Sequence, residues 1–326
     1  MEQIQLSNMT FEGDNNVYLF DDGPETVLVD TGDWMADTRE GLVSALGDYG
    51  LTFADVDRIF LTHWHGDHVG LASDIQAESG ASVHVHEADA PLVAGDESAW
   101  EALAERQEAC FEHWGMPEAE RETLRGILTA TPIRDDPPDV TPLQGGDQFS
   151  VNGRTLTAVH APGHAAGLCL YELGDGEVLS GDALLPKYTP NVGGADIRVE
   201  RPLARYLETL DRIVAADYDR AWPGHRQAID DPTGRARAIY DHHEERSWRV
   251  LDALRRLGPS DAWTVSADLF GDLEHIHILH GPGEASAHLD HLERAGDVVR
   301  EGSLYRLADG VEDRLSAADE RWELSY

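Results

Sequence analysis

The chain has 326 residues and carries 25 Lys plus Arg against 62 Asp plus Glu, a formal charge of −37. That balance excludes the basic surface with which proteins neutralise nucleic-acid phosphates or dock on anionic membranes. Hydrophobic residues make up 41 %, and the acids recur along the whole chain instead of gathering in one tail, so the composition is that of a packed protein and not a disordered one.

Apolar runs at 16–20 and 26–30, separated by Asp21-Asp22-Gly23-Pro24, predict two paired strands joined by a turn. Residues 36–48 have the spacing of an amphipathic helix, 58–62 of a short buried strand, 67 to about 79 of a helix and 82–86 of another strand. Trp100, Leu103, Phe111, Trp114 and Leu124 recur at helical intervals across 97–128, and Asp135-Asp136-Pro137-Pro138 breaks that pattern. Strands resume at 147–159 and 167–180, a helix fits 200–215 and a strand 217–222. From about 233 the texture changes to one long amphipathic helix (233–257), two shorter ones (264–270 and 284–295) and two strands around Glu301-Gly302-Ser303. Three helices followed by a β-ribbon is a winged-helix order. The length predicts two domains, 1–232 and 233–326.

Lys187 is the only lysine; every other basic residue is arginine. A uniformly acidic, lysine-poor surface fits a protein adapted to high salt, where the Debye length shrinks to about 3 Å at 1 M and self-repulsion is screened. Cys110 and Cys169 allow at most one disulfide, which points to a reducing, cytoplasmic setting. The N-terminus has neither the basic nor the apolar region of a signal peptide, and no apolar run of about 18 residues predicts a membrane span.

The chemistry is concentrated in Thr62-His63-Trp64-His65-Gly66-Asp67-His68, where three histidines and an aspartate follow a strand and open a helix. Neutral imidazole and carboxylate suit zinc, iron or manganese. The turn aims His63 and His65 at one point, and Asp67 and His68 at a second. Neither pair completes a four-coordinate ion, so further ligands must come from downstream. Candidates lie in Pro162-Gly163-His164, Ser180-Gly181-Asp182 and Pro223-Gly224-His225, each a loop after a strand.

In this order the motifs resemble the metallo-β-lactamase superfamily, over about residues 1–230. The resemblance implies an α/β fold, a four-layer αβ/βα sandwich, here with a small C-terminal winged-helix-like module. It implies two divalent metal ions, zinc first, with iron or manganese as the other candidates. His63, His65 and His164 would hold one metal and Asp67, His68 and His225 the other. Asp182 would bridge them with a hydroxide, and Asp30, in Val29-Asp30-Thr31-Gly32, would orient a ligand loop. Asp67 and Asp182 are the candidate catalytic carboxylates. The helical stretch at about 90–130 is similar to the lid of glyoxalase II-like members, and the tail resembles that of the lactamase-beta-like branch.

The implied activity is hydrolysis of a small-molecule thioester, ester or lactone. The alternatives are an endoribonuclease or phosphodiesterase on the same fold, and a mononuclear iron dioxygenase. Residues 284–294, the candidate recognition helix, hold three acids and one arginine, which disfavours nucleic acid and favours a structural or homodimer-forming tail. Lys187 and Tyr188 follow Asp182 closely and are candidate substrate-binding residues. His84, His86, His160, His242 and His243 read as packing or solvent-facing residues, and His275, His277 and His280 as non-ligands.

Overall fold

The computed structural model describes residues 1–8, 13–129 and 136–317. Strands β1 (Glu2–Leu6), β2 (Asn15–Phe20), β3 (Val27–Val29), β4 (Arg58–Phe60), β5 (Ser82–His86) and β6 (Val140–Leu143) form one sheet in sequence order. β1 to β3 are antiparallel and β3 to β6 parallel. Strands β7 (Gln148–Val151), β8 (Arg154–His160), β9 (Cys169–Glu172), β10 (Glu177–Gly181) and β11 (Arg220–Pro223) form a second sheet, in the order β11-β10-β9-β8-β7. Only its β10–β11 pair is parallel.

Side-chain alternation builds the layers. In β2, Val17 and Leu19 face outward, onto Leu42 and Leu46 of helix α1 (Ala36–Asp48) and Ile75 of helix α3 (Ala72–Ser79). Tyr18 and Phe20 face inward and meet Tyr171, Leu156 and Leu179 of the second sheet. The outer face of that sheet, with Leu170, Val178 and Ala221, is covered by Leu203, Leu207, Leu210 and Ile213 of helix α7 (Pro202–Ala216) and by Ala236 and Ile239 of helix α8 (Pro232–Leu257). Helix, sheet, sheet, helix is the four-layer αβ/βα arrangement.

Two strands were not expected. In β1 only Ile4 and Leu6 are buried, so its apolar signal is two residues long. β6 contains Pro142, which marks an edge strand and weakens the pattern. The helix expected from 67 to 79 is interrupted. Helix α2 (Gly66–Val69) stops because Gly70 and Leu71 turn their amides to Gly32 O (2.8 Å) and Thr31 Oγ1 (3.2 Å). A Cβ on Gly70 would lie 2.3 Å from the Asp33 carbonyl carbon, so the chains meet here only because residue 70 is glycine.

Helices α4 (Ala90–Val93), α5 (Glu97–His113) and α6 (Glu118–Thr129) occupy the expected lid segment; residue 130 lies outside the described residues. Helix α8 starts at Pro232, capped by Asp231 on Gly234 N at 2.8 Å, and ends before Gly258. Then follow α9 (Ala262–Phe270), α10 (His277–Ala295), the ribbon β12 (Val298–Glu301) and β13 (Leu304–Leu307), and α11 (Val311–Ala317). The last nine residues of the expected C-terminal domain, 318–326, lie outside the described residues.

Helix α10 begins seven residues before the expected start at 284, running through Gly281-Pro282-Gly283. Pro282 gives up one helical hydrogen bond, and packing overrides the local preference. Lid and tail share one core: Trp100, Phe111, Trp114 and Leu124 pack with Trp248, Leu251, Val265, Leu289 and Tyr305.

Candidate metal centre

The strands that carry the motif end at one edge of the two sheets, so their following loops converge. β4 delivers residues 61–68, β8 the loop with His164, β10 Asp182 and β11 His225. Backbone bonds hold the loops in place: Cys169 N to Thr62 O (2.9 Å) and Gly224 N to Gly181 O (2.9 Å). Gly224 is required by proximity, since a Cβ there would sit 2.3 Å from Asp182 Oδ1.

Three overlapping groups of ligating atoms result: His63, His65 and His164; His63, His68 and Asp182; Asp67, His68 and His225. Within each group the atoms lie within 4.8 Å of one another. His63 Nε2 is 2.8 Å from His65 Nδ1, which is 3.0 Å from His164 Nε2. Asp182 stands between the groups, with Oδ2 3.7 Å from His164 Nε2 and 3.5 Å from His225 Nε2, and Oδ1 3.6 Å from His68 Nε2. Asp67 Oδ2 is 3.3 Å from His225 Nε2 and accepts from Asn15 Nδ2 at 3.2 Å.

Each of the five histidines gives its other ring nitrogen to an acceptor. His65 Nε2 donates to Ala195 O (3.1 Å), His164 Nδ1 to Asn191 O (2.9 Å), His225 Nδ1 to Gly13 O (3.0 Å) and His68 Nδ1 to Asp30 Oδ2 (2.8 Å). His63 Nδ1 faces Thr62 Oγ1 at 3.0 Å, and that hydroxyl donates to Asp30 Oδ2. The inward nitrogens of His63, His65 and His164 are therefore bare lone pairs packed at 2.8–3.0 Å, an arrangement that a cation stabilises. Buried His68 Nε2 and Asp182 Oδ1 have no hydrogen-bond partner. The donor set thus fits divalent metal ions.

Electrostatics separate the two halves. Burial pushes His63 and His164 below the usual histidine range and His65 down to about 3, so these three side chains are neutral. Burial also acts to lower His68 and His225, but Asp67 and Asp182 outweigh it and raise both, His225 to about 10. In the metal-free protein the acidic half is thus balanced by protons, which a cation displaces.

Asp30 ties three donors of the motif loop together. It accepts from Thr62 N (2.7 Å), Thr62 Oγ1 (2.8 Å) and His68 Nδ1, and it sits at φ 60°, a conformation that Asp tolerates. Residues that sequence reading did not single out clamp the loops from outside. Asp89, 0 % exposed, accepts from Trp64 N and Gly167 N, and Asp196, 1 % exposed, accepts from Trp64 Nε1 and Ala166 N. Arg198 bridges the two acids at 2.6 Å each. Single acids and arginines far apart in the chain carry no spacing signal. Lys187 and Tyr188 are both exposed on the loop after Asp182, and Lys187 Nζ and Arg226 Cζ each lie 5.1 Å from the Tyr188 ring centre.

The sequence matches the metallo-beta-lactamase superfamily over residues 10–225. The chain belongs to this superfamily. Its members are hydrolases, and the chain is an enzyme of that kind. It is similar to a metallo-beta-lactamase family protein from Thermus thermophilus, with 32 % identity over 94 % of this chain and 98 % of that one and a TM-score of 0.80. A beta-lactamase domain protein from Burkholderia ambifaria aligns at 25 % identity over 94 % and 91 % of the chains, TM-score 0.75. Among curated relatives, the beta-lactamase-like protein 2 homolog of Drosophila melanogaster is 27 % identical over 75 % of this chain and 69 % of its own length. An atrochrysone carboxyl ACP thioesterase of Cryptosporiopsis is 24 % identical over 76 % of this chain, which spans 60 % of that protein's length.

Three of the other histidines stack on rings. His84 stacks on Phe60 at 4.9 Å and His86 on His160 at 4.0 Å. His275, His277 and His280 belong to no ligand group among the described residues, whereas His243, left aside in the sequence, joins Glu284 and His288 in a fourth, buried group.

Acid should destabilise the metal-free superfamily fold. Burial lowers His65 and His280 to about 3 and His86 and His242 to about 4. An unfolded chain titrates these groups near 6.5, so below that pH the unfolded state binds more protons and stability falls as pH falls towards 4. Asp89, pushed up to about 6 by burial, and Glu284, also raised by burial, oppose this; His225 and His68, charged in the fold, oppose it only near pH 6.5, where the unfolded histidines are still taking up protons. The melting temperature of chelator-treated protein should therefore drop between pH 6.5 and 4.5; a flat profile contradicts the assignment.

Proposed function

We propose that the enzyme hydrolyses a small-molecule thioester, ester or lactone with two divalent metal ions, zinc first. One carrying observation is the pair of donor groups sharing Asp182: neutral His63, His65 and His164 on one side, Asp67, His68 and His225 on the other. Metals held there would lower the pKa of bound water to about 7 and polarise the substrate carbonyl. The chain's own residues do the rest. Asp182 Oδ1, buried without a partner, is free to hold the nucleophile's proton, and Asp67, anchored by Asn15, is the second carboxylate in reach. Trp64, clamped by Asp89 and Asp196, holds His63 and His65 on either side of it in register.

The thioesterase among the relatives supports an acyl substrate. The tail is read as a module from about residue 233, winged-helix-like in element order, and the lid at 90–130 as its partner. Twelve of the 19 residues of α10 are buried, including Glu284 and His288, which supports a structural or homodimer-forming tail over one that grips nucleic acid. No described helix is long and apolar enough to cross a membrane. Both cysteines are free, which supports a cytoplasmic setting. The charge of −37 with one lysine supports a high-salt setting, which full stability in dilute buffer would contradict.

The exposed Lys187 and Tyr188 are read as an anchor for an anionic or carbonyl group of the substrate. Lys187→Ala should raise KM by about two- to fivefold with kcat and metal content unchanged, the size of an exposed ionic contact. A panel of thioester, lactone and phosphodiester substrates tests the reaction class: turnover of phosphodiesters alone would favour the nuclease reading.

A further inference from the structure

The tail reaches the metal centre through one loop. Helix α10 packs on residues 191–195 backbone to backbone: a Cβ on Gly283 would lie 2.3 Å from Gly194 Cα, and one on Gly194 would lie 2.6 Å from His280 Cα. Asn191 is bonded on every side. Its Nδ2 donates to Glu284 Oε2 (3.1 Å) and His280 O (3.1 Å) on α10. Its Oδ1 accepts from Gly194 N (3.1 Å) and Ala195 N (2.7 Å), which shapes the loop. Two carbonyls of that loop face the ligands: Asn191 O takes His164 Nδ1–H, and Ala195 O takes His65 Nε2–H. Behind Asn191, Glu284 is ion-paired to Arg246 of α8, and both side chains are close to 90 % buried. Glu284 thus has one oxygen on Arg246 and the other on Asn191.

We propose that the C-terminal helices are part of the metal centre: the Arg246–Glu284 pair positions Asn191, and Asn191 fixes the tautomer and direction of His65 and His164. The inference rests on the two-metal reading. It assigns the tail a role that lies in the three-histidine half alone. His68, Asp67 and His225 are held instead by Asp30, Asn15 and Gly13. Outer partners of ligating histidines typically govern metal affinity by about 10–100-fold.

A double-mutant cycle tests it. Asn191→Asp keeps the acceptor for Gly194 and Ala195 but sets an oxygen against Glu284. Glu284→Gln changes no volume; its oxygen stays with Arg246 and its amide meets the Asn191 amide donor to donor. In the double variant the new amide on α10 donates to the new carboxylate on the loop and that contact is rebuilt, while the bond from residue 191 to His280 O stays lost. Zinc titration against a chromophoric chelator should show two dissociation constants in the wild type. Each single variant should weaken one of them at least tenfold and leave the other within about twofold, and the double variant should recover part of the loss, the part carried by the contact between residues 191 and 284. Circular dichroism of the metal-free proteins checks folding; if Asn191→Asp does not fold, the result is read on Glu284→Gln. Single variants that bind both metals like the wild type overturn the proposal, as does uniform weakening of both sites or a double variant no better than its parents. A wild type that takes up no zinc overturns the two-metal reading and this proposal together.

Discussion

Replacing His63 by alanine should remove both metals and with them hydrolysis. His63 belongs to both the three-histidine group and the group with His68 and Asp182, and it is 0 % exposed. Its loss leaves His65 and His164 as an incomplete pair and takes a neighbour from the acidic half. Metal-assisted stabilisation supplies several kcal/mol to the transition state, so losing about 4 kcal/mol lowers kcat/KM by about 10³-fold. Asp182→Ala should match it, because that carboxylate faces His164 on one side and His68 and His225 on the other. Metal content by mass spectrometry and kcat/KM on a responsive substrate give the readout. Full activity in a variant without bound metal would refute the assignment.

Replacing Asp30 by alanine should cost both stability and metal. The side chain takes Thr62 N–H, Thr62 Oγ1–H and His68 Nδ1–H in a site 2 % exposed. Leaving buried donors without an acceptor costs about 1–3 kcal/mol each. Alanine also fits poorly at φ 60°. The melting temperature should fall by at least about 4 °C, and the affinity of the Asp67–His68–His225 half by about 10–100-fold. Asp30→Asn keeps one acceptor and suits the backbone, so it should melt closer to the wild type while losing the same metal. Equal metal affinity in the two variants and the wild type would show that Asp30 only braces the loop.

The grouping of the candidate donors was legible for a local reason. Four of its residues lie within six positions, at the junction of a buried strand and a helix, where spacing alone divides them into two directions. His164, Asp182 and His225 each follow a strand, but only the order of motifs makes them more than loop residues. The four-layer architecture is visible in strands such as β2, where Val17 and Leu19 alternate with Tyr18 and Phe20. What stayed hidden depends on tertiary contact. Asn191, Asp89, Asp196, Arg198 and Glu284 act across gaps of many residues and have no periodic or motif signal. The start of α10 was misplaced because Gly281-Pro282-Gly283 opposes a helix locally, and only its close packing on Gly194 and Leu273 explains why the helix runs through it. The core that the tail shares with Trp100 and Trp114 has no local signal, because these partners lie more than 100 residues away in the chain.

The central claim is that two donor groups around Asp182 hold two metal ions. Metal analysis of the purified, full-length chain tests it most directly. Two divalent ions per chain, falling to none in His63→Ala and in Asp182→Ala, is the predicted result; a single iron per chain, or full occupancy in either variant, would contradict it.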